Sequence, residues 1–156
     1  MNGQRSGPIR KGPLPPVFFL CSFVLELGLH FAIPVRRIIP SPWHYIGVAL
    51  IVAGVSLTGA AVKQFRRAET PLKPSERPTA LVTGGLFRVT RNPMYLGMFL
   101  LLLGAAVILG TLTALVVPFA FAYVITSRFI RAEEAFLREQ FGEPYVGYCR
   151  TVRRWL

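Results

Sequence analysis

A chain of 156 residues is long enough for one domain, but 53% of it is hydrophobic and only 16% is charged, against roughly 25% charged residues in soluble domains. The net charge of +11 invites a polyanion, yet the basic residues lie between apolar runs and no nucleic-acid motif is present, so the bilayer replaces nucleic acid as partner. There is no Asp, and Cys21 and Cys149 have neither metal-ligand spacing nor a matching partner, so no metal is expected.

A membrane helix needs about 20 apolar residues. The first such run is 16–35. Arg10-Lys11 precedes it as a signal-peptide n-region would, but the run is longer than an h-region and no small-x-small site follows, so it reads as a span. Inside it Glu26 and His30 stand one helical turn apart. Ionisable groups at membrane depth are functional suspects, but this spacing lets the two satisfy each other, which is the expectation here. The second span is 43–62, with His44 at its far end as an interfacial residue.

The segment after it is built differently. Prolines 71, 74 and 78 deny it a continuous helix, and Gly84-Gly85 signals a turn. Asn92-Pro93 then opens a helix, with Asn suited to the N-cap and Pro to the first helical position. The free backbone N–H groups there form an anion site, to which Arg88 or Arg91 adds charge. The competing reading is an ordinary helix start with Arg beside lipid headgroups.

From Met94 to Ser127 the apolar stretch is too long for one span. It breaks at Gly110-Thr111 into helices 94–109 and 112–127, where Gly104, Gly110 and small Ala residues allow close approach. Sixteen of the eighteen Lys and Arg fall in the head, in the loop between spans two and three, and in the tail; only Arg36 and Arg37 lie between spans one and two. The positive-inside rule then puts both termini in the cytoplasm, with a bacterial inner membrane as the expected setting. The expected fold is a single all-α integral membrane domain over 1–156, with four transmembrane helices, a tight C-terminal helical hairpin and a cytoplasmic amphipathic tail helix.

Helix geometry joins distant residues. A helix over 93–109 rises about 24 Å and its successor returns the same distance, so Glu133-Glu134 lands near Asn92 to Tyr95 across about 40 residues of sequence. Two carboxylates beside an anion site suit a zwitterion. The same tail also reads as an amphipathic surface helix, and the two readings are compatible. Gly142 suits the end of that helix. The aromatics of 141–148 suit an adenine or lipid pocket or interfacial anchoring, and Trp155 is read as an anchor.

Leu-Val-Thr-Gly-Gly-Leu-Phe-Arg-x-x-Arg-Asn-Pro-Met-Tyr-Leu-Gly (81–97), an apolar hairpin, and Glu-Glu-x-x-Leu-x-x-x-Phe-Gly-x-x-Tyr-x-x-Tyr (133–148) together resemble the isoprenylcysteine carboxyl methyltransferase family and its relatives, the phospholipid N-methyltransferases. The resemblance covers roughly the C-terminal half. It implies a membrane methyltransferase using S-adenosylmethionine, with no catalytic nucleophile, and a cofactor region over 79–97 plus 128–155. It implies that Thr79, Ala80, Leu81, Val82, Phe87, Asn92, Pro93, Met94, Tyr95 and Glu133 surround the cofactor; Arg91 and Glu134 join them from the geometry above. Asn92 replaces a frequent family His and cannot titrate. Phe129 stands where eukaryotic members carry a substrate-contacting Arg, which counts against an isoprenylcysteine carboxylate. Arg128 and Arg131 are the candidates for an anionic acceptor. The acceptor is lipidic or a membrane-partitioned small molecule: an isoprenylcysteine carboxylate, a phospholipid amine, or a small thiol or amine. Two rivals remain, a membrane reductase using a nicotinamide cofactor and a non-catalytic membrane scaffold. Soluble dinucleotide, Walker, zinc-protease and serine-nucleophile motifs are absent.

Overall fold

A computed structural model describes residues 13–33, 37–71 and 78–156. The charges read at Arg5, Arg10, Lys11, Arg36, Lys73 and Arg77, the proline at 74, and the last two residues of the first apolar run lie outside them.

Pro15 and Pro16 open α1, Pro15–Ala32, where a missing N–H costs nothing. The second helix, α2, runs Tyr45–Arg67, five residues beyond the expected 62. It keeps going because the first Pro after it is Pro71. A 3-10 turn at Gly85–Arg88 precedes α3, Pro93–Leu109. Gly110, in the left-handed region at φ 70, ends α3 and turns the chain into α4, Leu112–Ile125. A π turn at Thr126–Ile130 carries α4 into α5, Arg131–Phe141, and Gly142 at φ 57 separates α5 from α6, Glu143–Thr151.

The tail helix is therefore no separate element. Between Pro118 and Gly142 the sequence has neither Gly nor Pro, so nothing stops the helix at 127. The continuous helix Leu112–Phe141 has 30 residues, about 45 Å, against a hydrocarbon core of about 30 Å. Its last third, beyond about residue 131, holds its three glutamates, Glu133, Glu134 and Glu139. Among the described residues three helices, α1, α2 and this long one, are long and apolar enough to cross; α3, with 17 residues, is apolar but shorter. Outward-facing Val24, Val52, Phe119 and Tyr123 are exposed, as lipid-facing residues are.

Gly104 was expected to admit α4. It serves α2 instead: a Cβ there would stand 2.6 Å from the Gly47 carbonyl oxygen, and one on Gly54 would stand 2.7 Å from that of Gly97. Two glycine pairs, seven residues apart on each helix, let α2 and α3 touch backbone to backbone, which yields dispersion contact where water supplies no driving force.

Glu26 and His30 do not pair. Glu26 is fully buried, with no hydrogen-bond partner for either carboxyl oxygen among the described residues, and His30 Nδ1 lies 3.3 Å from Thr111 Oγ1. The hairpin supplies a hydroxyl at the right height, and His30 turns to it rather than down its own helix. Near the opposite end, a core of Tyr95, Leu102, Phe121, Ile125, Phe129 and Ile130 gathers under the polar segment, with Phe18 and Trp155 packed against it.

Candidate functional site

The polar segment is pinned to α2 first. Gln64 Nε2 donates to the Gly84 carbonyl, and Leu86 N–H donates to Gln64 Oε1, both at 3.3 Å. Gly85, at φ 56, passes so close to Gln64 that a Cβ would overlap it, so the turn needs glycine. This sets Phe87 edge-on against Phe65, with ring centroids 5.3 Å apart. From the other side the Tyr148 hydroxyl donates to the Phe87 carbonyl at 2.6 Å.

Asn92 occupies the N-cap position of α3 without capping it. Its Nδ2 donates to the Arg154 carbonyl at 2.9 Å. The Thr90 hydroxyl donates to the same carbonyl at 3.3 Å, and Arg91 N–H donates to the Arg153 carbonyl at 3.0 Å. The C-terminal segment thus lies along residues 90–92, and its unpaired carbonyls outcompete the cap. Trp155, read as an interfacial anchor, folds inward: its Nε1 donates to Thr126 Oγ1 at 3.3 Å and its ring packs near Phe99.

The two motif blocks meet at one contact, the Tyr95 hydroxyl donating to Glu133 Oε1 at 2.6 Å. Glu134, beside it, is held by Arg154 through Nε and Nη2 at 2.8 and 2.7 Å, and by Arg91 Nη2 at 3.3 Å. Arg91 Nη1 also donates to Cys149 Sγ, a partner the sequence does not reveal. The two adjacent carboxyls differ sharply. Burial pushes Glu133 up to about 7, against the lowering hydrogen bond from Tyr95, and the charge of Glu134 adds to the rise. Burial opposes ionisation of Glu134 too, but the Arg154 hydrogen bond and the charges of Arg91, Arg154 and Arg138 hold it below its ordinary value. Burial raises Tyr148 to about 12.

These groups head a cavity of about 330 Å³. Ala80, Leu81, Val82 and Phe87 form one wall, and Arg91 to Tyr95 with Glu133 and Glu134 form the polar end. Thr79 is off the lining; it ties the loop instead, its N–H donating to Thr70 Oγ1 at 3.1 Å and its hydroxyl to the Glu69 carbonyl at 3.0 Å. Arg128 and Arg131 are exposed and off the lining as well. Unforeseen members of the lining are Phe65, Met98, Phe136, Leu137, and Leu14 to Pro16 where the chain enters α1. Phe136 and Leu137 had a signal, standing three and four residues after Glu133 on one helical face. Phe65 had one too, as the lone aromatic among Lys63, Arg66 and Arg67.

Residues 43–144 match the model of a family described as phospholipid methyltransferase. The chain is similar to protein-S-isoprenylcysteine O-methyltransferase A of Arabidopsis thaliana, at 33% identity over 111 residues, covering 68% of this chain and 55% of that protein. It is also similar to protein-S-isoprenylcysteine O-methyltransferase of Schizosaccharomyces pombe, at 27% over 114 residues, 72% of this chain and 48% of that one. Among solved structures it is similar to a eukaryotic intramembrane Ras methyltransferase, an isoprenylcysteine carboxyl methyltransferase, with a TM-score of 0.68 and 23% identity over 95% of this chain and 53% of that one. At that identity the likeness is one of fold. The chain spans about half the length of the curated relatives it matches.

Proposed function

The chain belongs to the phospholipid methyltransferase family, and from that premise we propose that it methylates a lipidic or membrane-partitioned acceptor, using S-adenosylmethionine held in the cavity under Glu133. The observation that carries this reading is the Tyr95–Glu133 contact at 2.6 Å, which joins the two motif blocks at the head of that cavity.

The residues present suit such a cofactor. The cavity, about 330 Å³, falls in the range of small-molecule sites. Glu133 offers a carboxylate to an ammonium or a ribose. Arg91 and the first N–H groups of α3, left without an acceptor because they open the helix and Asn92 does not cap them, offer a positive end to a carboxylate. Asn92 keeps its oxygen as an acceptor while its amide nitrogen is engaged, and Met94 closes the polar end. Ala80, Leu81, Val82 and Phe87 offer backbone and aromatic contact to a base. When bound, the cofactor supplies an activated methyl group, so the protein's part is alignment rather than nucleophilic attack of its own. Leu14 to Pro16 and Met98 give the remaining wall an apolar character that suits an acceptor entering from lipid. Arg128 and Arg131, being exposed and outside the lining, fit headgroup contact better than an acceptor carboxylate.

The same reading takes the chain as one membrane domain with four spans. α3, at 17 residues, reaches the lower end of the usual spanning range of about 17–25. Both termini then face the cytoplasm, the side that supplies the cofactor. Isothermal titration of S-adenosylhomocysteine into the purified chain tests the site. Saturable binding, lost in Glu133→Ala, is expected. Unchanged affinity in Glu133→Ala removes the site assignment, and tighter binding of a nicotinamide dinucleotide in its place favours a reductase.

A further inference from the structure

Two carboxyls stand side by side at the polar end of the cavity, and only one is free to meet a ligand. Arg154 is what separates them. Its guanidinium takes both oxygens of Glu134, at 2.8 and 2.7 Å, and the Glu134 side chain is 13% exposed. Its main-chain carbonyl accepts from Asn92 Nδ2 at 2.9 Å and from the Thr90 hydroxyl at 3.3 Å. Next to it Trp155 bonds Thr126. One residue, three positions after α6 ends at Thr151, therefore grips α5 by its side chain and the start of α3 by its backbone.

The geometry points to Arg154 as a positioning residue: it occupies both oxygens of Glu134 where that side chain lines the cavity, ties α5 to the start of α3, and leaves Glu133 as the carboxyl presented to the ligand's cationic group. The inference rests on the cavity being the cofactor site but concerns a residue outside its lining. A bidentate Arg–carboxylate pair fixes orientation as well as charge, and Lys, as a point charge, reproduces only the charge. The groups around the pair are few. Tyr95 from α3 meets Glu133. Arg91, Arg138 on α5 and Arg154 act on Glu134, while Tyr145 and Cys149 of α6 lie within reach of the same cluster.

Two measurements on the full chain test this. The first needs no cofactor: carbon-13 titration of the Glu133 and Glu134 carboxyls in wild type, Arg154→Ala and Arg154→Lys. Wild type shows two well-separated midpoints. Arg154→Ala closes the gap by a unit or more as Glu134 loses its guanidinium, and Arg154→Lys keeps much of it. A brace with no effect on the pair lowers the melting temperature and leaves the gap unchanged, which overturns the proposal. The second is S-adenosylhomocysteine affinity. Arg154→Ala weakens it roughly tenfold or more, the scale of one charge-assisted hydrogen bond, and Lys recovers part. In a Glu134→Gln background, adding Arg154→Ala changes affinity less than twofold, because the residue acts through Glu134. Simple additivity overturns that route. If wild type binds no S-adenosylhomocysteine, the cofactor reading fails and the carboxyl titration still decides the role of Arg154.

Discussion

Replacing Tyr95 by Phe removes one hydroxyl and leaves the ring in the core beside Phe129 and Leu102. The lost interaction is the 2.6 Å bond to Glu133 Oε1, and a hydrogen bond to a charged group is worth about 1.5–3 kcal/mol. That bond is what pulls the Glu133 carboxyl down toward about 7 against the burial that raises it. Without it the carboxyl moves up by about one to two further units, since one unit is about 1.4 kcal/mol. An ammonium ligand needs Glu133 ionised, so wild-type affinity for S-adenosylhomocysteine rises with pH through about 7. In Tyr95→Phe the rise moves to higher pH, and at pH 7 binding is about 5- to 50-fold weaker, the ratio of the ionised fractions. Calorimetric titrations between pH 6 and 8.5 read this directly. The apo protein carries the same signature. Because the folded carboxyl, at about 7, lies above its ordinary 4.5, its stabilising contribution is complete below about 4.5 and is lost as pH rises through about 7. Melting temperature therefore falls over that window, more widely in Tyr95→Phe. A variant whose binding profile coincides with wild type refutes the coupling of Tyr95 to Glu133.

Other substitutions probe separate links. Gly104→Leu drives a side chain into the Gly47 backbone, where a Cβ alone would stand 2.6 Å from its carbonyl oxygen; it costs about 1–3 kcal/mol or more in denaturant unfolding, while Gly59→Leu, which meets open space, is tolerated. Glu26→Leu removes a buried carboxyl that has no hydrogen-bond partner among the described residues and raises stability to denaturant by about 1–3 kcal/mol; unchanged or lower stability contradicts this. Asn92→Ser separates clamp from cap: Ser is a good N-cap but is too short to replace the bond to the Arg154 carbonyl, so it loses about 1 kcal/mol, and wild-type stability in that variant means the cap reading was right.

The meeting of Asn92–Tyr95 with Glu133–Glu134 was legible because it depends on local signals only. Gly110 forces a turn, and the lengths of two apolar runs fix where the chain returns. The helix partners were not legible in the same way. Periodicity shows that Gly104 lies on a small-residue face, but whether that face meets α2 or α4 depends on packing across the whole bundle. Spacing alone made His30 the natural partner of Glu26, while the hydroxyl it meets, that of Thr111, comes from 81 residues away. The inward fold of Trp155 and the work of Arg154 share one cause. A short terminal segment carries no periodic signal, and its place is set by long-range bonds to residues 90–92, Thr126 and Glu134. The continuous helix through residue 141 was legible in principle, since no Gly or Pro interrupts it after Pro118.

Methyl transfer itself is measured by incubating the reconstituted chain with methyl-labelled S-adenosylmethionine and a membrane extract and identifying the labelled product. Label is expected in a lipidic or membrane-partitioned acceptor with wild type and little with Glu133→Ala. Wild-type protein that binds S-adenosylhomocysteine but labels no lipid or small-molecule fraction above the Glu133→Ala background contradicts methyl transfer to such an acceptor.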